Sequence, residues 1–464
     1  MDRYFKLKEK GTNVRTEIMA GLTTFMTMAY ILAVNPGILS GWGNPSMMDW
    51  ESVFLATALA AGIMTIAMGL FVNFPVALAP GMGLNAYFAT VILSSNGDFT
   101  WQMGLTAVFI SGLIFILLTV TKVRQIMLTA VPENLKHAIT VGIGLFITII
   151  GLKNSGLLTV AVDANNPIEA HKFTDVGGTE TVFHMGDLAN HQVILTIIGL
   201  ALISILMVLR VRGAILFGIL LTTIVGMLMG DVKLSTLTAE GTNWVPDFSA
   251  LNFAAFDWEG VMTAGIISVI ATFTFVELFD TFGTLVGTAN RAGLMKNREE
   301  GNKKVGKAML VDAIGVSGGA LVGTSTVTAY VESSAGIAEG GRTGLTAVTT
   351  GVCFLLALFL SPIAALIPGS ATAAALIVVG VLMMQSVREI DFTDFVVAIP
   401  AFLTIAFMPF TYNIANGISF GIVSYVLLAT VANLFGKGKY TVHWLMWILA
   451  VLVVLRYAFY GSAG

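Results

Sequence analysis

The sequence is poor in charge. Of 464 residues only 11% are Asp, Glu, Lys or Arg, while 56% are hydrophobic and the mean hydropathy is +0.87. A typical soluble domain is roughly 25% charged, so the shortage excludes an ordinary soluble fold and implies a chain that crosses a membrane many times. The single cysteine, Cys353, excludes a disulfide framework or a cysteine-based metal site, and the five His are scattered without metal-ligand spacing. A net charge of −3 leaves no basic surface for nucleic acid. HExxH does not occur, so nothing marks a zinc hydrolase, and no cofactor or metal is implied. The N-terminal MDRYFKLKEKG lacks the apolar core and small-residue cleavage site of a signal peptide, so the first spanning helix is expected to be retained.

What is present is a long series of apolar segments. They are expected at Ile18–Val34, Val53–Phe71, a short one at Met82–Leu93, Met103–Thr121, Glu133–Leu152, Val193–Leu209 and Ala214–Met229. After a polar stretch from Gly230 to Gly260 come Val261–Val286, Val305–Val322, a short one at Ala329–Ala338, Leu345–Leu360, Ala371–Gln385, Phe395–Phe410 and Ile414–Leu434. A further apolar segment, Val442–Phe459, is left over. With the N-terminus in the cytoplasm and strict alternation, all of the 24 Lys and Arg fall on the inner side except Lys153, Lys172, Lys233 and Arg456. The alternation requires both short segments to count as crossings.

The chain also repeats itself. Gly104-Leu-Thr-Ala-Val108 recurs as Gly344-Leu-Thr-Ala-Val348, each copy opening a spanning helix. Pro132 and Pro368 then open the next segments, and Gly144 and Gly380 follow twelve residues later. Seven crossings separate equivalent points, so the halves are expected to be inverted, the plan of secondary transporters. The fold class expected is an all-α polytopic membrane protein with fourteen transmembrane segments in two inverted repeats of seven.

The short segment of each half precedes the repeated pentapeptide. In the first, Pro75, Pro80, Gly81 and Gly83 forbid a continuous helix; Val76 to Ala79 is expected to be extended, with a half-helix from about Met82. In the second, the Thr-rich Ser325 to Ala329 is expected to be extended, with a half-helix from about Tyr330 or Val331. Paired interrupted segments are the sequence pointer to a transporter's binding site. Asn85 lies near the start of the first half-helix; Tyr330, Glu332, Ser333 and Ser334 lie near the start of the second. Glu277 and Asp280, one helical step apart in FTFVELFDTFGTLVG, add two acids at membrane depth, where each costs roughly 2.5–3.5 kcal/mol unless it has a task. Three carboxylates and a carboxamide suit a planar ligand with alternating donors and acceptors. Close carboxylates do not all ionise cheaply, so one is expected to load and unload a proton. Lys and Arg are absent from this expected site, which disfavours a strongly anionic substrate.

At these residues the chain resembles the nucleobase–ascorbate transporter superfamily and, more narrowly, its AzgA-like branch of hypoxanthine, guanine and adenine permeases. The carrying motifs are GLTTFMTMAYILAVNP at 21–36, APGMGLNAYF at 79–88, VELFDTFGTLVG at 276–287, GTSTVTAYVESSAG at 323–336 and AIPAFLTIAFMPFTYNIANGI at 398–418, so the likeness covers nearly the whole chain. The resemblance implies a core domain (1–122 and 261–362), a gate domain (123–232 and 363–464) and an extracytoplasmic linker (233–260). It implies proton symport of a purine base by elevator-like motion of core against gate, in a plasma-membrane homodimer. The resemblance makes Asn85, Glu277, Asp280, Glu332, Tyr330 and Thr27 substrate-site residues, to which the polar clustering adds Ser333. Proton coupling falls to Asp280, Glu332 and Glu277. The branch usually carries Asp where this chain has Glu277, which ranks Asp280 and Glu332 above it as ligands. Transport of xanthine or uracil, and uncoupled facilitation on the same fold, stay open as alternatives.

Other polar features have plainer expectations. Asp312 is expected to pair with basic residues near Lys307, and Glu339 with Arg342. The Gly-rich run from Gly315 to Gly323 lacks the lysine of a phosphate loop and is expected to serve close helix packing. The basic run Arg291–Lys307 is expected to be a solvated loop that sets orientation.

Overall fold

The computed structural model describes residues 2–95, 97–121, 130–160, 183–238, 244–260, 264–294, 298–436, 438 and 440–460; the side chains of some helical residues, Asp280 among them, lie outside the described residues. So do Lys122, Arg124, Lys172, Lys296, Lys437 and Lys439 of the charge alternation. The first half holds α1 (Val14–Met28), α2 (Ile31–Leu39), α3 (Trp50–Ala67), strand β1 (Leu78–Pro80), α4 (Met82–Ser94), α5 (Trp101–Val120) and α6 (Glu133–Asn154). An antiparallel pair of short strands, β2 (Leu158–Val160) and β3 (Phe183–Met185), precedes α7 (His191–Val208) and α8 (Ala214–Met229). The second half holds α9 (Ala264–Arg291), α10 (Arg298–Val322), β4 (Val327–Ala329), α11 (Ser333–Ala338), α12 (Gly344–Leu356), α13 (Ser361–Ala365), α14 (Gly369–Met384), α15 (Phe395–Phe410), α16 (Ile414–Leu434) and α17 (Trp444–Tyr460). Counting α1–α2, β1–α4, β4–α11 and α12–α13 as one segment each gives fourteen segments before α17 among the described residues.

Helix starts follow the capping chemistry. Asn13, Asp49, Thr100, Asn190, Asp394 and Asn413 each precede an apolar run, and each accepts a backbone N–H from the turn it opens. Such a cap contributes about 1 kcal/mol. The expected limits of α8, α15 and α16 match the observed ones. Segment 1 differs from the single helix expected. It extends to Leu39 and breaks at Ala29–Tyr30, where i→i+3 bonds from Leu32 to Ala29 and from Ala33 to Tyr30 replace the regular ladder. Within α2, Pro36 loosens the same segment further, because its ring has no N–H and crowds the carbonyl one turn earlier, at Leu32. Segment 11 also differs, because a 3-10 turn at Ala357–Leu360 separates α12 from α13. Residues 298–307 of the basic run form the first turns of α10 rather than loop.

The repeat is physical as well as textual. The pentapeptides open α5 and α12, and Pro132 and Pro368 are the N-caps of α6 and α14. Gly144 and Gly380 meet: a Cβ on Gly144 would lie 3.0 Å from the Gly380 carbonyl oxygen, and one on Gly380 2.6 Å from that of Gly144. Two such approaches need glycine at both positions. The helices sort into two packing groups. α1–α5 and α9–α12 pack mainly on one another, and α6–α8 pack with α14–α17. The stretch before α9 is pinned to the first group. Phe256 packs on Phe109 of α5 with ring centroids 4.8 Å apart, and the Asp257 N–H donates to Thr106 Oγ1 at 2.9 Å. The last helix, α17, runs antiparallel along most of α16. Tyr425 Oη donates to the Thr441 carbonyl at 3.2 Å and Tyr457 Oη to Asn416 Oδ1 at 2.6 Å.

Candidate functional site

The two broken segments cross. β1 and β4 pair antiparallel with Leu78 opposite Ala329, Ala79 opposite Thr328 and Pro80 opposite Val327. The pairing continues beyond the strands: the Gly81 N–H donates to the Thr326 carbonyl at 2.9 Å and the Tyr330 N–H to that of Ala77 at 3.0 Å. A helix preceding each strand anchors it. Thr65 of α3 donates its hydroxyl to the Leu78 carbonyl and accepts the Leu78 N–H. Asp312 of α10 accepts the Ala329 N–H at 3.0 Å and the Thr328 hydroxyl at 3.4 Å. Asp312 therefore departs from the expected pairing with Lys307. It is fully buried and holds the second broken segment, because an unpaired strand N–H at this depth would otherwise be costly. The Gly-rich run behaves as expected. A Cβ on Gly315 would lie 3.0 Å from the Val327 carbonyl, so these glycines let α10 approach the strand that follows it.

Tyr330 and Ser333 act inside the crossing. The Tyr330 hydroxyl donates to the Pro80 carbonyl, and Ser333 Oγ accepts the Ala77 N–H at 3.0 Å. Asn85 is fully buried in a side-chain network. Its Nδ2 donates to Asn35 Oδ1 at 2.5 Å, and its Oδ1 accepts from Ser325. Asn35 Nδ2 in turn donates to Thr57 at 2.7 Å and to Thr324 at 2.9 Å. Asn85 thus ties α2, α3 and α4 to the lead into β4. Glu277 is also fully buried; its Oε1 accepts from Thr281 Oγ1 at 3.2 Å, and Thr281 lies 2.9 Å from Thr328. The side chain of Asp280 lies outside the described residues.

Glu332 is placed differently. The second half-helix starts at Ser333, later than expected, and is only six residues long, with Glu332 as its N-cap residue. Glu332 is half-buried, and its Oε1 accepts the hydroxyl of Tyr30, itself 1% exposed, at 2.9 Å. It lines a cavity of about 410 Å³ together with Thr23 and Thr27 of α1, Ser334, and the α7–α8 turn. Thr27 donates its hydroxyl to the Thr24 carbonyl at 2.8 Å, and Ser334 Oγ is buried with no hydrogen-bond partner among the described residues.

The α7–α8 turn corrects two expectations. It brings Arg210 and Arg212 to this cavity, so cations are not absent from it. Gly213, at φ +71°, lets the turn close on α1; a Cβ there would lie 3.1 Å from the Met26 carbonyl. Arg212 Nη2 lies 2.7 Å from Glu339 Oε1, so Glu339 pairs across the two packing groups and not with Arg342. Arg342 instead joins the cap of α12. Its N–H donates to Glu17 Oε1 at 2.9 Å, and the N–H groups of Thr343 and Thr346 donate to Glu17 Oε2. Tyr30, Asn35, Glu17 and the two arginines escaped sequence reasoning. Tyr30 and Asn35 had one available signal, polar groups inside the apolar AYILAVNP.

A sequence model described as the permease family (Xan_ur_permease) matches residues 15–420. The chain is 42% identical to the guanine/hypoxanthine permease PbuG of Bacillus subtilis, over 99% of this chain and 100% of that protein. It is 43% identical to the adenine permease AdeQ of Escherichia coli, over 92% of this chain and 90% of that protein. Among solved structures, the transmembrane domain of the cyanobacterial bicarbonate transporter BicA matches with a TM-score of 0.60 at 18% identity, covering 88% of this chain and 97% of that one. SLC26A9 matches with a TM-score of 0.60 at 10% identity, covering 90% of this chain and 65% of that one. These two share the fold. With the motifs, the inverted repeat and the crossed broken segments in place, the chain belongs to the permease family, the nucleobase–ascorbate transporter superfamily that its sequence resembles.

Proposed function

We propose that this protein imports a purine nucleobase across the plasma membrane by proton symport, with the N-terminus cytoplasmic. Residues 1–122 and 261–362 form a core that carries substrate; residues 123–232 and 363–464 form a gate, with 233–260 as the linker. The core moves elevator-like against the gate, and two copies associate as a homodimer. The observation that carries the reading is the Glu332 cavity between the two packing groups. It is lined by Glu332, whose carboxylate is held by Tyr30, and by Ser334, whose buried hydroxyl has no hydrogen-bond partner among the described residues. Its volume, about 410 Å³, falls within the roughly 300–1,000 Å³ of small-molecule sites. A carboxylate beside a free hydroxyl matches the N–H and C=O edge of a purine.

The named relatives take adenine or guanine and hypoxanthine, so the purines are the first substrates to test. An anion is a poorer fit. Arg212 is engaged by Glu339, and Glu332 stands in the cavity. Glu332, Asp280 and Glu277 are the groups proposed to carry the proton; Asn85, Ser333 and Tyr330 fix the crossing on which Glu332 sits, and Thr27 lines the wall opposite.

Reconstituted protein is expected to accumulate labelled hypoxanthine, guanine or adenine under an inward proton gradient, and a proton ionophore should abolish that accumulation. No uptake of any purine under that gradient sinks the reading. Competition by unlabelled purines, xanthine and uracil ranks the substrates. Uptake that equilibrates without concentrating assigns the protein to uncoupled facilitation.

A further inference from the structure

A second cavity, of about 690 Å³, lies at the opposite ends of the helices that border the first. Met207 near the end of α7, Ala214 at the start of α8 and Leu382 near the end of α14 line the Glu332 cavity. Leu195 near the start of α7, Asp231 just beyond α8 and Gly369 at the start of α14 line the second. We propose that this second cavity is a weaker binding station for the same planar heteroaromatic base, built around Trp42 and Asn154. The proposal rests on the nucleobase reading above.

Trp42 sits in an unusual turn. Gly41, Trp42 and Gly43 have φ of +55°, +53° and +92°. The left-handed region suits glycine, but a bulky residue avoids it unless the surroundings hold it there. Here the indole lies against two glycines. A Cβ on Gly37 of α2 would meet Trp42 Nε1 at 3.3 Å, and one on Gly369 of α14 would meet its Cδ1 at 3.3 Å. Gly37 belongs to the first packing group and Gly369 to the second, so the ring bridges the two. Trp42 stays 36% exposed, which leaves part of its surface to the cavity. An indole held in this way is a stacking platform for a flat ring.

The second element is an amide donor. Asn154 lines the cavity, and its Nδ2 is buried just behind that wall with no hydrogen-bond partner among the described residues. A buried donor left unmade is costly, and an acceptor on a bound ligand would satisfy it. Ser370 and Thr372 add hydroxyls on the gate side, while Asp231, the acid in the lining, lies 3.6 Å from His191 Nδ1. Aromatic surface, an amide donor, hydroxyls and no cation in the lining together fit a neutral heteroaromatic base better than an anion or a metal.

The test uses full-length protein carrying Glu332→Gln, so that the first site is weakened. Adenine or hypoxanthine is titrated in, and quenching of tryptophan emission is recorded. Saturable quenching is expected to persist. Adding Trp42→Leu should remove the saturable part, and adding Asn154→Leu should raise the half-saturating concentration by about tenfold or more. Melting temperatures identify any variant that has lost its fold, and either second substitution alone carries the test. Quenching that never saturates and is the same in all three proteins overturns the proposal and leaves a water-filled vestibule. The two readings fail separately. A wild-type protein that takes up no purine overturns the nucleobase reading, whereas uptake without saturable quenching in the Glu332→Gln protein overturns only the second station.

Discussion

The two broken segments are related by the repeat and cross as a strand pair, yet they have different fates. In the first, β1–α4, the polar side chain is spent on structure. Asn85 uses both ends of its amide on Asn35 and Ser325, inside a network that reaches Thr57 and Thr324. In the second, β4–α11, the strand is equally well tied down by Asp312. Just beyond it, however, Glu332 and Ser334 line a cavity, and Ser334 Oγ has no hydrogen-bond partner among the described residues. The difference teaches that two scaffolds related by the repeat carry unequal polar chemistry, which is why the proposed site is placed on the second. The long half-helix, with no charged residue, serves as the frame; the short one, opened by an acid, carries the exposed chemistry.

The sharpest way to break this comparison is to remove the polar group from each segment. Glu332→Gln keeps the shape and loses the charge. Uptake is expected to fall about ten- to hundredfold, the worth of a charged hydrogen bond at a buried site, while the melting temperature stays close to that of the wild type. Asn85→Leu should do the reverse. It strands the amide of Asn35 and the hydroxyl of Ser325, so stability falls by about 2–3 kcal/mol, seen as lower thermal stability in detergent, and the folded fraction keeps its KM. If Asn85→Leu melts like the wild type but raises KM as strongly as Glu332→Gln, Asn85 contacts substrate and the division between frame and site is wrong.

Much of the frame was legible in the sequence. Hydropathy located the segments, and Pro80, Gly81 and the Thr run of the second segment marked where helices stop. Gly144 and Gly380, legible only as matching positions of the repeat, meet in a direct contact of α6 with α14. What escaped were pairings between distant side chains. Asp312 was read against Lys307, its neighbour in sequence, whereas its partner is a strand N–H seventeen residues on. Glu339 was read against Arg342, whereas its partner is Arg212, in the other half of the chain. Local pattern reports which face a residue occupies; it carries no signal for what a second helix brings to that face. The start of α11 was missed for a related reason: the strand pairing, which extends to Tyr330 through the Ala77 carbonyl, delays the helix.

A smaller effect is expected at Tyr30. Its hydroxyl is the donor that fixes Glu332, and Phe fills the same space. Tyr30→Phe should raise KM by about three- to tenfold, in line with a net hydrogen bond of about 1 kcal/mol, with little change in Vmax or melting temperature. An unchanged KM would mean that Glu332 is positioned by the β4–α11 backbone alone.

The smallest effect concerns the far end of the second segment, where an ion pair reaches across to the other packing group. Arg212 is 60% exposed and Glu339 25%, at 2.7 Å. Exposed pairs of this kind contribute about 0.2–1 kcal/mol and weaken in salt. The pair also joins the short half-helix to the turn beneath the cavity, so a rigid-body movement of one group past the other has to part it. Arg212→Gln and Glu339→Gln should therefore change uptake by no more than about threefold at low salt. The double variant should add nothing beyond either single one, and the effect should vanish at high ionic strength. Two single variants that are each neutral at low salt would show that the pair is incidental. Effects that persist unchanged in high salt would instead assign Arg210 and Arg212 a direct contact with the transported molecule, bringing the cavity mouth into the binding site.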